Sequence, residues 1–167
     1  MELLIIRHAI AFEPDRRRWP DDAARPLSPA GKRRARKAAA GLKEFSRAPD
    51  RVLTSPLVRA RQTALILTDI AGWPRAEDTP ELAPGMPVAS MLRLLRQDRS
   101  RRVALVGHQP GLGALMTSCL IAEGGSLPIE LKKSAVACLS FAGSARAGHA
   151  VLKWLAAPRM LRGLKHD

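Results

Sequence analysis

The 167-residue chain has no tyrosine, three phenylalanines and three tryptophans, too few aromatic faces for the stacking platforms on which single-stranded nucleic acids are held. It has two cysteines, Cys119 and Cys138, in unrelated apolar segments and without a CxxC spacing. That excludes a disulfide scaffold and leaves both thiols as expected small buried hydrophobes. No apolar run approaches the roughly eighteen residues of a membrane span. The chain enters its first strand directly, without a signal peptide, so a cytoplasmic protein with no membrane partner is expected. Acidic residues are also scarce, 15 against 28 Lys and Arg, for a net charge of +13. A field of that sign attracts phosphorylated substrates, acidic protein surfaces and nucleic acid alike, so it bears on partners rather than on fold. The missing aromatics argue against nucleic acid as the main partner.

What is present reads as one globular domain over residues 1–167. Apolar residues make up 46% of the chain, no low-complexity tract or repeat interrupts them, and the length allows a sizeable core. Leu3 to Ile6 are four consecutive large aliphatics, too few for a helix standing alone and suited to a strand covered on both faces. The strand ends at Arg7-His8. A second strand of the same design, Val103 to Gly107, ends at His108.

Between and beyond them strand and helix signals alternate. Phe12 to Leu27 is a polar, proline-bearing loop with Arg16-Arg17-Arg18 and Asp21-Asp22, of a composition that fits a mobile segment near the mouth of a site. Ser28-Pro29 is an N-cap with proline in the first helical position, opening a helix to about Phe45. Its cations at 32, 33, 34, 36 and 37 fan around much of the helix, as on a solvated face. Arg51 to Thr54 is a short strand. Ser55-Pro56 repeats the cap signal for a helix from Leu57 to Ile70, stopped by Gly72 and Pro74. Thr79 to Leu82 is expected to be a short extended piece. Val88 to Arg96 and Leu112 to Ile121 are expected helices, and Ala135 to Phe141 with His149 to Leu155 a terminal hairpin. The pattern predicts a three-layer α/β/α sandwich around a mostly parallel sheet with one antiparallel strand.

In such sheets ligands gather at the carboxyl ends of strands. Arg7, His8 and His108 sit at two of those ends, and Arg59 falls in the first turn of the helix after a third. Two arginines and two histidines without cysteines, or carboxylates at ligand spacing, make a poor metal site and a good phosphate site. The amino end of the helix beginning near Pro56 would add partial positive charge.

The constellation resembles the histidine phosphatase superfamily, the phosphoglycerate-mutase-like fold. Ile6-Arg7-His8-Ala9 matches its strand-end signature, and Thr54-Ser-Pro-Leu-Val-Arg59-Ala-Arg-Gln-Thr63 its Ser-Pro…Arg-Ala…Gln-Thr helix. Val106-Gly107-His108 matches its second histidine, with Pro80-Glu81-Leu82 and Ser134-Ala135-Val136 in the family's order. The short chain, with no large insertion over the site, is most similar to the SixA-type phosphohistidine phosphatases, the smallest branch. The resemblance implies that His8 is the nucleophile and forms a phosphohistidine, and that Arg7, Arg59 and His108 bind the phosphoryl oxygens. It implies Glu81 as the candidate general acid, no metal and no cofactor. The implied ligands are a phosphate or sulfate ion in the pocket and a phosphorylated, possibly acidic, signalling protein such as a phosphotransfer domain. Alternatives are a small-metabolite phosphomonoesterase of the same superfamily and, in another class, a non-catalytic basic binding module. Ala9 stands where the family most often has glycine, which matters only if that position needs a positive φ.

Overall fold

A computed structural model describes residues 1–121 and 127–164. Six strands form one sheet: β1 (Glu2–Arg7), β2 (Arg51–Thr54), β3 (Ala76–Asp78), β4 (Arg102–Gly107), β5 (Val136–Phe141) and β6 (Ala150–Ala156). Their spatial order is β3-β2-β4-β1-β5-β6. The first four run parallel, β5 runs antiparallel to β1, and β6 reverses again against β5. One strand thus opposes the other five, as the sequence pattern predicts.

The helices are α1 (Pro29–Phe45), α2 (Val58–Ala71), α3 (Val88–Gln97), α4 (Gly111–Leu120) and α5 (Pro158–Gly163). Successive strand side chains point to opposite faces, and that alternation divides the core in two. Leu4, Ile6, Ala104 and Val106 pack with Ala35, Ala38 and Leu42 of α1, Ala64 and Leu67 of α2, and Leu161 of α5. Leu3, Ile5, Val103 and Leu105 pack on the other face with Met91 and Leu95 of α3 and Leu115 and Met116 of α4. Because both faces of β1 and β4 are covered, their sequences are continuous apolar runs rather than alternating ones.

The α1 cap forms as expected, with Ser28 Oγ accepting from Gly31 N at 3.0 Å. The second cap does not: α2 begins at Val58 behind Leu57, with no side-chain cap. Ser55 Oγ lies 2.8 Å from His108 Nε2 and 3.4 Å from Leu57 N, so the hydroxyl is engaged at the histidine instead. Residues 80–82 form a 3-10 turn rather than an extended piece, since Pro80 occupies its first position and Leu82 turns inward, 3% exposed. The three-residue edge strand β3 and the short α5 complete the layers. Cys119 and Cys138 are buried free thiols, and burial pushes the Cys119 thiol up to about 12.

Candidate active site

The parallel strands β1, β2 and β4 end together at Arg7, Thr54 and Gly107. Beyond the last rung, His8 N donates to Gly107 O at 3.0 Å and Ser55 N to Val106 O at 2.9 Å. This brings His8 and His108 onto one edge, with ring centroids 5.0 Å apart and planes inclined by 53°. Both rings are buried, 7% and 6% exposed.

The His8 ring has a defined tautomer. Its Nδ1 lies 2.7 Å from Ala9 O, and a carbonyl only accepts, so Nδ1 carries the proton and Nε2 the lone pair. Burial pushes the His8 pKa down to about 4, with the charges of Arg59, Arg7 and Lys133 acting in the same direction and the Ala9 hydrogen bond opposing them. His108 falls to about 3, again through burial first, then His8 and Arg59, with Asp22 opposing. Both imidazoles are neutral at pH 7. The neighbouring cations act in this direction, but desolvation is the larger cause.

Arg59, 4% exposed, reaches this edge from the first turn of α2. Its Nη1 donates to Asp22 O at 2.8 Å and its Nη2 pairs with Asp22 Oδ2 at 3.0 Å. Asp22 belongs to a 3-10 turn, residues 22–24, in the loop between β1 and α1. Arg25 Nε holds the other carboxylate oxygen at 2.7 Å, and Arg25 Nη1 donates to Phe12 O at 2.6 Å. The hydrogen bond from Arg25 holds the Asp22 carboxyl below its ordinary range, so Asp22 is an ionised acceptor at neutral pH. Arg7 Nη1 donates to Leu131 O at 2.6 Å. The Nε atoms of Arg7 and Arg59 are both buried without a hydrogen-bond partner among the described residues. Unsatisfied buried donors on two guanidinium groups, beside neutral imidazoles, fit an oxyanion.

Two further side chains hold this frame. Thr63 Oγ1 donates to Arg59 O at 2.7 Å and accepts from Ala9 N at 3.0 Å, so one hydroxyl ties the His8 segment to α2. Gln62 Oε1 accepts from Leu27 N at 2.8 Å. Both residues steady the site, as their place one turn beyond Arg59 predicts. Arg61 faces outward and pairs with Asp78, Nε to Oδ1 at 2.9 Å. Ser134 N lies 3.0 Å from Arg7 O and 3.3 Å from His8 O, and Ser134 is the one non-glycine residue with a positive φ, 67°, among those described. Ala9 therefore carries its methyl without backbone strain.

Glu81 sits half-buried on the 3-10 turn after β3, where Thr79 N bonds Thr54 O at 2.8 Å. Its carboxylate has no ion pair or hydrogen bond among the described residues, and the carboxylate that bears on His108 is that of Asp22. His149 precedes β6 and does not lie within it; it bonds its own turn, Nδ1 to Ala147 O at 2.7 Å. That turn adjoins the Phe141 end of β5, opposite the histidine edge. His166 lies outside the described residues. Sequence reasoning missed Asp22 as the partner of Arg59, Ser55 as the partner of His108, and half-buried Lys133 as a charge acting on His8.

Residues 3–83 match the model of the histidine phosphatase superfamily (branch 1). The chain is 30% identical to the phosphohistidine phosphatase SixA of Escherichia coli (strain K12), over 99% of both chains. The chain belongs to the histidine phosphatase superfamily. The chain is also 35% identical to an uncharacterized protein of Picosynechococcus sp., over 87% of this chain and 88% of the relative's. Among solved structures, the protein histidine phosphatase SixA complexed with tungstate superposes with a TM-score of 0.81 at 29% identity, covering 96% of this chain and 99% of the other. A SixA homologue from Agrobacterium tumefaciens gives 0.77 at 25% identity over 94% and 97%. The phosphatase thus shares the phosphoglycerate-mutase-like fold, and the binding-module alternative falls away. No helix among the described residues is long and apolar enough to cross a membrane.

Proposed function

We propose that the protein is a metal-independent phosphohistidine phosphatase acting on a signalling protein, with His8 as the nucleophile. The observation that carries this reading is the pairing of a neutral His8, its lone pair on Nε2, with the buried Nε donors of Arg7 and Arg59, which have no hydrogen-bond partner among the described residues. His8 Nε2 attacks the phosphorus as the bond to the substrate's nitrogen breaks, and the phosphoryl group passes to His8. Water then attacks that phosphorus, the bond to Nε2 breaks, and inorganic phosphate leaves. Charge on the equatorial oxygens is met by Arg7, Arg59 and His108, so catalysis is positioning and electrostatics. The relatedness to SixA over the full chain supports the substrate class.

Glu81 serves as general acid for substrates with oxygen leaving groups. A phosphohistidine ring protonated on its second nitrogen departs as neutral imidazole and needs no such proton. The deciding assay compares turnover of a phosphohistidine protein, a phosphohistidine peptide and a panel of sugar and nucleotide phosphates. The phosphoprotein should show the highest kcat/KM; a sugar or nucleotide phosphate exceeding it would make this a metabolite phosphatase.

A further inference from the structure

Outside the site, the chain gathers uncompensated positive charge in one place. Arg33, Arg34 and Lys37 of α1 and Arg162 of α5 line a groove of about 320 Å³, together with Ala30. Read along the sequence, the α1 cations look like a solvated face; in the fold, three of them converge with a fourth from another helix. The convergence depends on close packing. A Cβ on Gly41 would stand 1.8 Å from Leu161 O, so only glycine lets α5 approach α1 this closely, and Leu161 is buried against it.

Three features leave the groove's charge unbalanced from within. Arg33 and Lys37, four residues apart, are like-charge neighbours on the helix surface, as are Arg34 and Lys37 at three. The first turn of α1, just ahead of Arg33, has no acidic residue to offset them. None of the four is within ion-pair distance of a carboxylate among the described residues. Ion pairs among the described residues serve other cations: Asp22 holds Arg25 and Arg59, Glu77 and Asp98 hold Arg51, Asp78 holds Arg61, and Glu2 holds Arg102.

The groove begins at Ala30, in the turn of α1 that packs on the segment following His8. A Cβ on Gly31 would stand 1.9 Å from Ile10 O, so the first turn of α1 is pressed against the backbone two residues beyond His8. From that turn the groove runs along the helix.

We infer that this groove is a docking surface for an acidic face of the protein substrate, holding it while its phosphorylated residue enters the site. The inference rests on the phosphoprotein reading above and locates the contact. Three exposed cations on one helix and a half-buried fourth on another suit several carboxylates on a folded surface, and no aromatic among the described residues lines the groove to stack a base. Charge complementarity of this kind raises encounter rates and fixes orientation.

The test is Arg33→Glu/Arg34→Glu/Lys37→Glu, in which glutamate matches the helix propensity of the residues it replaces. A control, Arg93→Glu/Arg99→Glu/Arg101→Glu, makes the same change of net charge at exposed positions outside the groove. On a phosphorylated, acidic phosphotransfer domain the groove variant should lose kcat/KM by about tenfold or more and most of its salt dependence. The control should lose far less, and a small aryl phosphate should change by about twofold at most in both, because site cations act at contact distance. Equal losses in the two variants, or parallel losses on both substrates, would overturn the docking surface. Binding of the unphosphorylated domain is measured as well, so that a phosphatase inactive on phosphohistidine would refute the substrate reading while groove-dependent binding still upheld the surface. Groove-dependent binding of duplex DNA or anionic vesicles, with the domain unaffected, would assign the groove to those ligands and overturn the inference.

Discussion

Asp22 takes both terminal nitrogens of Arg59, Nη1 through its backbone carbonyl at 2.8 Å and Nη2 through its carboxylate at 3.0 Å. The guanidinium is thereby fixed from the outer side, and its Nε is the nitrogen without a partner among the described residues. Asp22→Ala should lower kcat/KM for an aryl phosphate by about tenfold or more, through misorientation of Arg59. The Arg59→Ala/Asp22→Ala double variant should be no worse than Arg59→Ala alone, because Asp22 acts through that arginine. Additive losses in the double-mutant cycle would show an independent role for Asp22.

Arg7, Arg59 and His108 should behave as one unit. Each alanine substitution is expected to cost about 2 to 4 kcal/mol of transition-state stabilisation, as for a lost oxyanion donor, with combined losses smaller than the sum. Vanadate and tungstate should inhibit the wild type and bind more weakly to all three variants. Inhibition by chelators that is reversed by added divalent metal would refute the metal-independent mechanism.

Much of this was legible because burial leaves a simple trace. β1 and β4 are covered on both faces, so their strands stand out as aliphatic runs and their carboxyl ends mark Arg7, His8 and His108. Arg59 follows from the helix register. The elements that escaped are short or exposed. β3 is Ala-Glu-Asp at a sheet edge, without apolar alternation, and the turn at Pro80–Leu82 is a single 3-10 turn. Asp22 and Lys133 escaped for another reason. Each is brought to the site by a loop, and loop paths leave no periodicity in a sequence. Ser55 carries a capping signature whose hydroxyl was diverted by a histidine 53 residues away.

The two buried imidazoles make stability depend on pH in a known direction. Their native pKa values, about 4 for His8 and about 3 for His108, lie below the ordinary histidine value of 6.5. Between those values the unfolded chain binds protons that the native protein does not. Stability is therefore untouched by these rings above pH 6.5 and declines as pH falls from there toward 3. An NMR titration should find both rings neutral at pH 5.5; half-protonation of either near 6.5 would contradict their burial.

Glu81→Gln should separate substrates by leaving group. An alkyl phosphate, whose alkoxide needs a proton, should lose about 10² or more in kcat. A nitrophenyl phosphate and a phosphohistidine peptide should lose much less. Equal losses on all three would make Glu81 a structural residue, and no loss on any would remove it from the mechanism.

The central claim is that the phosphoryl group passes through His8. Rapid quenching of the enzyme during turnover of a phosphohistidine protein, under conditions that preserve acid-labile phosphoramidates, followed by peptide mapping, tests it directly. The account predicts one phosphorylated enzyme peptide, carrying the phosphate on His8, absent from His8→Ala, which should remain folded and lack turnover. Phosphate on another residue, or turnover by His8→Ala within about tenfold of the wild type, would contradict it.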